Sequence, residues 1–233
     1  KFARGYVGDV GGEYNGVKTG IDLTDNRSQA ELTKEAVELA KNSDFVIFVG
    51  GLNKSDFQDS EGNDRKEMGL PYHQNELISA LAKVNKNFSV VLVSGNAVEM
   101  PWVKEVPSIV QAWYLGSESG DAIAAVLAGD ANPSGKLPFT FPVKLEDNAA
   151  HAMGEYPGNK DELAQGKGKD QQNPINIAYK EGIFVGYRWH DTKKIKPLFA
   201  FGEGLSYTNF EISNLDSDKK AYSKDESIVI SGN

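Results

Sequence analysis

The 233-residue chain is 39% hydrophobic and 10% aromatic and carries a net charge of −8, which suits a packed core and excludes intrinsic disorder. With no Lys/Arg cluster to offset that charge, nucleic acid and anionic membranes are excluded as partners, and no apolar run approaches the roughly 18 residues of a spanning helix. Zero cysteines rule out disulfides, thiolate catalysis and Cys-based zinc; His73, His151 and His190, at unrelated spacings, read as surface or loop residues, so no metal and no cofactor is expected.

The chain opens on Lys1 rather than Met and shows no leader pattern, so the natural start is expected to lie elsewhere. Residues 1–24 are Gly-rich and polar, with a short strand expected around Phe2–Tyr6. Ser28 and Glu31 make an S-x-x-E capping box. Leu32, Ala36, Leu39 and Ala40 follow at helical spacing, predicting a helix over 29–42. Phe45–Gly50 has no polar residue and reads as a strand covered on both faces, the signature of a parallel sheet.

The alternation repeats. Pro71 fits the first helical position, and Leu77, Ile78, Leu81 and Val84 form one face of a helix over 72–85. Residues 88–94 and 109–114 are the next two buried strands. Asp121 opens a short helix whose Ala122, Ile123, Val126 and Leu127 are expected to pack inward, with Gly129 ending it. Such alternation predicts an α/β fold: a three-layer sandwich around a mostly parallel, right-handed, doubly wound sheet.

After residue 130 the character changes. Lys136–Pro142 reads as an edge strand with prolines at its ends, and 144–176 is a long, polar, unpatterned loop, of a length that is often functional or disordered. Aromatic and apolar content returns at 179–190. From Ser206 the sequence alternates (Phe210, Ile212, Leu215, then Ile228 and Ile230), as strands of a separate β module would. The chain stops at Asn233 in or just after such a strand, so a truncated β-sandwich is expected.

The chemistry concentrates in residues 55–71, where Asp56, Asp59, Glu61, Asp64 and Glu67 crowd between a buried strand and a helix. Open α/β sheets bind ligands outside the carboxyl ends of their strands, which places Glu61 at that edge; a solvated acidic loop is an equal reading from composition. No G-x-S-x-G elbow and no phosphate-binding glycine pattern is present. Carboxylate acid–base work on a neutral polar ligand remains, and glycosidic cleavage is the usual example. Asn96, Trp113, Tyr114 and Glu118 fall at the same edge as candidate sugar contacts, although Trp113 better suits an aromatic closing the core.

Several segments carry a family resemblance, in order: EAVELAKNSDFVIFVGGLN (35–53), SEGNDRKEMGLPYHQNELI (60–78), VVLVSGNAVEMPW (90–102), IVQAWYLGSESGDAIAAVLAGDANPSGKLPFTFP (109–142), YKEGIFVGYRWHD (179–191) and PLFAFGEGLSYTNFEIS (197–213). Together they resemble the C-terminal part of glycoside hydrolase family 3, the β-glucosidase and β-xylosidase family. The resemblance implies that residues 1–206 form the family's α/β sandwich and 207–233 the opening strands of a fibronectin III-like domain. A TIM-like barrel bearing the aspartate nucleophile would be the absent partner.

It also implies that Glu61, in the E-G-x-D-R pattern of 61–65, is the general acid/base of a retaining, exo-acting β-glycosidase. Asp59 is the reserve for that role, because loop length before the motif varies. Asp64 and Arg65 are expected to form a buried pair that fixes the loop. The implied substrate is a β-linked glucoside or xyloside, the implied location periplasmic or secreted, and this chain alone would be inactive. The family's N-acetylhexosaminidases fit a Glu61-type acid less well. A non-catalytic carbohydrate-binding or structural domain is the alternative, and a flavodoxin-like nucleotide or receiver domain shares the fold but lacks its phosphate cradle or acidic triad here.

Overall fold

In a computed structural model of the protein, residues 1–18, 21–55, 57–60, 64–158, 162 and 174–233 are described. Residues 2–6 are irregular rather than a strand, and a two-residue antiparallel pair, β1 (Glu13–Tyr14) and β2 (Val17–Lys18), follows. The predicted capping box forms: the Ser28 hydroxyl accepts from the Glu31 N–H, and the Glu31 carboxylate accepts from the Ser28 N–H at 2.8 Å. It starts α1 (Gln29–Lys41), which buries Leu32, Ala36 and Ala40.

Strands β3 (Val46–Gly51), β4 (Phe88–Val93) and β5 (Ser108–Gln111) run parallel in the order β3-β4-β5, with Phe48 opposite Val90 and Val90 opposite Ile109. Helix α2 (Gln74–Val84) carries the chain from β3 to β4. Phe48, Phe88, Val90 and Leu92 of the sheet pack with Ala36, Leu77, Ile78 and Leu81 of the helices. Each fully buried side chain of this size contributes about 1.5–3 kcal/mol relative to exposure. Trp102, from the β4–β5 connection, joins this core fully buried, its indole N–H donating to Asn75 Oδ1 at 2.8 Å. This is the expected α/β sandwich around a parallel sheet.

Four details differ from expectation. β3 is an edge of the three-stranded sheet, so it alternates: Phe48 is buried while Ile47 and Val49 are 47% and 53% exposed. Only the central β4 is buried from Phe88 through Leu92. Helix α2 begins at Gln74, not 72, because Tyr72 and His73 adopt left-handed backbone (φ 59° and 57°), and Pro71 precedes the helix. The third strand ends at Gln111 because Trp113 is left-handed too (φ 55°). Helix α3 (Ser119–Ala128) ends at left-handed Gly129 as predicted, but buries no residue: Ala122 is exposed and Ile123, Val126 and Leu127 are half-buried.

Beyond α3 the chain pairs at long range without a full strand. Leu137 and Phe141 exchange backbone hydrogen bonds with Gly202, Glu203, Leu198 and Phe199, bringing Phe139, Phe141 and Phe199 to the core. A 3-10 turn (Leu145–Asp147) and helix α4 (Ala149–Ala152) follow. Helix α5 (Tyr187–Lys193) buries Trp189 and His190; His190 is thus an interior residue, Nδ1 lying 3.1 Å from the Ile195 carbonyl oxygen. The Trp189 indole N–H donates to the Asp147 carbonyl at 3.0 Å and ties α5 to the turn. From 206 onward the described structure is an exposed antiparallel pair, β6 (Asp216–Ser217) and β7 (Ile230–Ser231). Among the described residues no helix is long and apolar enough to cross a membrane.

Candidate active site at the carboxyl ends of the strands

A cavity of about 560 Å3 opens beyond the carboxyl ends of β3, β4 and β5, within the 300–1,000 Å3 usual for small-molecule sites. Its first lining comes from the loops that leave those strands: Lys54, Gln58, Asp59 and Ser60 after β3, Gly95 to Ala97 after β4, and Tyr114 after β5. Gly51 makes the β3 exit feasible. It adopts φ 136°, and a Cβ there would lie 2.0 Å from the Val93 carbonyl oxygen, so no other residue fits. The buried Gln74 side chain completes this strand end, accepting from Gly51 N–H at 2.8 Å and donating to Gly51 O at 2.9 Å.

Asp59 anchors the loop. Its Oδ2 accepts from the Gly95 N–H and from the Tyr114 hydroxyl, each at 2.7 Å. Burial, then the Asp59 hydrogen bond, pushes the Tyr114 phenol above its ordinary range, so Tyr114 stays a neutral donor. Lys54 Nζ lies 4.9 Å from the centre of the Tyr114 ring. At the other end of the loop, the Arg65 guanidinium donates to the Ala97 and Met68 carbonyls at 2.9 and 2.8 Å. Burial, the larger effect, lowers the Arg65 pKa, against Asp59, Tyr114 and Glu99.

Of the predicted site residues, Asp59, Asp64, Arg65, Asn96 and Tyr114 line this one cavity. Asp56 and Glu61 lie outside the described residues, but Ser60 and Asp64 on either side of the 61–63 segment both line it. The expected Asp64–Arg65 pair does not form. Arg65 is spent on backbone carbonyls, while exposed Asp64 accepts from the Tyr156 hydroxyl. The two residues still tie the loop down, through separate partners. Trp113 points elsewhere: the left-handed turn sends it to Phe139 and Phe141, with ring centres at 5.7 and 6.1 Å, as the core-closing reading anticipates. Glu118 is exposed at the start of α3, caps nothing with its side chain, and does not line the cavity.

The second lining comes mostly from the 144–176 stretch, which the sequence offered as a loop bordering the substrate mouth or disordered, without naming its residues. Phe139, Thr140, Leu145, Asn148, His151 and Tyr156 supply it, and the His151 and Tyr156 rings meet edge to face at 5.4 Å. Bonding to Asp64, with burial adding to it, pushes the Tyr156 phenol up to about 12. Burial lowers the His151 imidazole, against Glu146, so a neutral ring faces the site at neutral pH. Phe139 and Thr140 come from the predicted 136–142 edge strand, and the rest from the polar 144–176 stretch, where no periodicity marks them; the only signal there was the placement of His151 and Tyr156 in a loop too long to be a mere connection.

The arrangement offers hydrogen-bonding groups, ring faces and carboxylates around one concavity, fitted to a neutral, hydroxyl-rich ligand. The sequence model of the glycosyl hydrolase family 3 C-terminal domain matches residues 5–187. The chain belongs to that family.

This family 3 domain is 58% identical over 202 residues to Beta-glucosidase BoGH3A of Bacteroides ovatus, covering 86% of this chain and 25% of that protein. It is 45% identical over 210 residues to Thermostable beta-glucosidase B of Acetivibrio thermocellus, again 25% of its length. Among solved structures it resembles the beta-glucosidase of Kluyveromyces marxianus in complex with glucose, with TM-score 0.71 and 38% identity over 84% of this chain and 22% of that one. DesR, a beta-glucosidase from Streptomyces venezuelae in complex with D-glucose, gives TM-score 0.71 and 35% identity over 87% of this chain and 23% of its own. The chain thus spans about a quarter of the length of these relatives.

Proposed function

We propose that this domain serves a retaining, exo-acting β-glucosidase, to which it supplies Glu61 as general acid/base while a barrel domain outside this chain supplies an aspartate nucleophile. The observation that carries the reading is the loop's course: Asp59 and Ser60 before Glu61, and Asp64 and Arg65 after it, line a single cavity at the strand ends. The relatives' names as beta-glucosidases favour a β-linked glucoside over a xyloside. The same reading assigns 1–206 to the sandwich and 207–233 to the start of a fibronectin III-like domain, in a periplasmic or secreted protein.

In this scheme the barrel aspartate attacks the anomeric carbon and the bond to the leaving oxygen breaks as Glu61 protonates that oxygen. Glu61 then takes a proton from water, which attacks the glycosyl-enzyme and releases the sugar with its original configuration. Retention requires the two carboxyl groups about 5–5.5 Å apart, so the 57–65 loop must be held close to the barrel mouth. Neutral Tyr114 and His151 bring no extra charge to the leaving group.

The test is a leaving-group series with the full-length protein. Glu61→Gln should cut kcat/KM on alkyl or unsubstituted phenyl β-glucosides by about 10²–10⁴-fold, the usual worth of a positioned acid. It should cost far less on 2,4-dinitrophenyl β-glucoside, whose oxygen departs without a proton. A uniform loss across the series, or none, would move the role from Glu61. The isolated chain should hydrolyse neither substrate, and sugar binding insensitive to Glu61→Gln would favour the carbohydrate-binding alternative.

A further inference from the structure

The residue next in line for the acid's role has its own geometry. Asp59 Oδ2 accepts two hydrogen bonds at 2.7 Å, one from the Gly95 backbone N–H in the loop after β4 and one from the Tyr114 hydroxyl after β5. Two donors on one oxygen fix the carboxylate against the loops that leave β4 and β5. Asp59 is also half-buried between those loops rather than presented to the cavity alone.

The surroundings are built for this contact. A Cβ on Gly95 would lie 3.0 Å from Tyr114 Cε2 and 3.2 Å from Asp59 Oδ2, closer than a side chain comfortably sits. A Cβ there would make the ring or the carboxylate give by a few tenths of an ångström to keep that N–H contact. Trp113, immediately before Tyr114, is held at φ 55°, a conformation that costs a β-region residue of this size about 1–3 kcal/mol and persists where surrounding structure enforces it. That turn sends Trp113 into the Phe139–Phe141 cluster and leaves Tyr114 on the cavity side with its hydroxyl on Asp59. The base of the same loop is braced separately: Gln58 Oε1 accepts from Asn53 N–H at 3.0 Å, its Nε2 donates to the Tyr72 hydroxyl at 2.5 Å, and that hydroxyl donates to Asp9 at 2.7 Å.

From this geometry we infer that Asp59 is the positioning residue of the acid loop: it latches residues 57–60 to the ends of β4 and β5 and thereby sets where Glu61 stands. Tyr114 and Gly95 are the two halves of the catch. The inference rests on the reading of Glu61 as acid/base and adds a division of labour between two carboxylates two residues apart, one that positions the loop and one to which the proposed function gives the proton transfer. Its consequence is specific. Loss of the latch misplaces a proton donor that remains chemically intact, and a misplacement of about 1 Å costs on the order of 10²-fold in rate.

Azide separates a displaced acid from a missing one. With an activated glucoside, a variant without its acid/base accumulates the glycosyl-enzyme, because no base activates water. Azide attacks that intermediate directly as an anion, forms the carbon–nitrogen bond of β-glucosyl azide, expels the enzyme carboxylate and restores turnover. In the full-length protein, Asp59→Ala should lose about 10²-fold in kcat/KM on phenyl β-glucoside, with kcat falling more than KM changes, and on 2,4-dinitrophenyl β-glucoside azide should neither raise its kcat nor yield glucosyl azide. Tyr114→Phe, which keeps the Gly95 bond, should lose about 10-fold, and Asp59→Asn, which keeps one acceptor, should fall between the two. Glu61→Ala on 2,4-dinitrophenyl β-glucoside should regain turnover with azide and yield the glucosyl azide.

Azide rescue of Asp59→Ala would make Asp59 the proton-transfer group and overturn both the latch and the Glu61 reading. Azide rescue of Glu61→Ala, with Asp59→Ala and Tyr114→Phe both within about 3-fold of wild type, would overturn the latch alone. Amide hydrogen exchange supplies a readout free of catalysis. The Gly95 N–H should exchange at least 10-fold faster in Asp59→Ala than in wild type, and an unchanged rate in a folded variant would show that the bond is not holding the loop.

Discussion

On the strand-end side of the cavity, Asp59, Arg65 and Gly95 are fixed by hydrogen bonds into the ends of β3, β4 and β5, whereas Leu145, Asn148, His151 and Tyr156 ride on a 3-10 turn and a four-residue helix. The first lining inherits its position from a parallel sheet and a buried glutamine. The second inherits it from ring edges, from the Trp189 bond to the Asp147 carbonyl and from the Tyr156 bond to Asp64. Chemistry that needs atoms held to a fraction of an ångström belongs on the first. A surface that can be exchanged without disturbing the fold is the second.

The contrast is broken most severely at glycine. Gly51→Ala must relieve a Cβ 2.0 Å from the Val93 carbonyl at a φ of 136°, so it should cost about 3–4 kcal/mol or prevent folding. Gly154→Ala, after α4, meets nothing within 4 Å and carries only the burden of φ 71°, about 1–2 kcal/mol. Urea denaturation of the two variants gives the comparison directly. Equal losses would mean that the second lining is as tightly determined as the first.

How much of this was legible follows the same division. The box at Ser28 and Glu31, the β3 and β4 strands and the acidic loop could be read because each rests on local periodicity or on a motif, and each lies in the sheet half of the chain. Gln74 could not be read as the partner of Gly51, because an amide bonding across 23 residues leaves no periodic trace. The end of β5 was missed for a related reason: Trp113 and Tyr114 continue an apolar run, and only the left-handed turn sends one inward and the other to Asp59. Residues 145–156 lacked any pattern because their order comes from Trp189, distant in sequence. Phe210, Ile212 and Leu215 carry the alternation of a separate β module, and among the described residues that face is exposed.

A milder pair of substitutions sharpens the comparison. Arg65→Met removes two charge-assisted bonds and leaves the Ala97 and Met68 carbonyls without that donor, which should cost about 2–3 kcal/mol. Tyr156→Phe removes a bond to the exposed Asp64, and solvent replaces it at a cost of about 0.5 kcal/mol. The difference should appear as a shift of the denaturation midpoint at constant slope. If Tyr156→Phe proved as costly as Arg65→Met, the second lining would be held by Asp64 rather than by its aromatic packing.

The smallest effect lies in the pH dependence of His151. Burial lowers its pKa from the ordinary 6.5, and the opposing pull of Glu146 is the weaker influence. The unfolded imidazole therefore takes up a proton near pH 6.5 while the folded one resists until lower pH. A group depressed in this way contributes stability that is present above the unfolded pKa and lost as pH falls through the folded one. Wild type should accordingly lose more stability than His151→Gln between pH 7.5 and 5.5, and the His151 ring resonances should titrate below 6.5. The two curves should run parallel again once the wild-type ring is charged in both the folded and the unfolded state. Parallel curves across that window would mean that the ring is solvated in both states, and that the second lining is open to water where the edge-to-face contact with Tyr156 closes it.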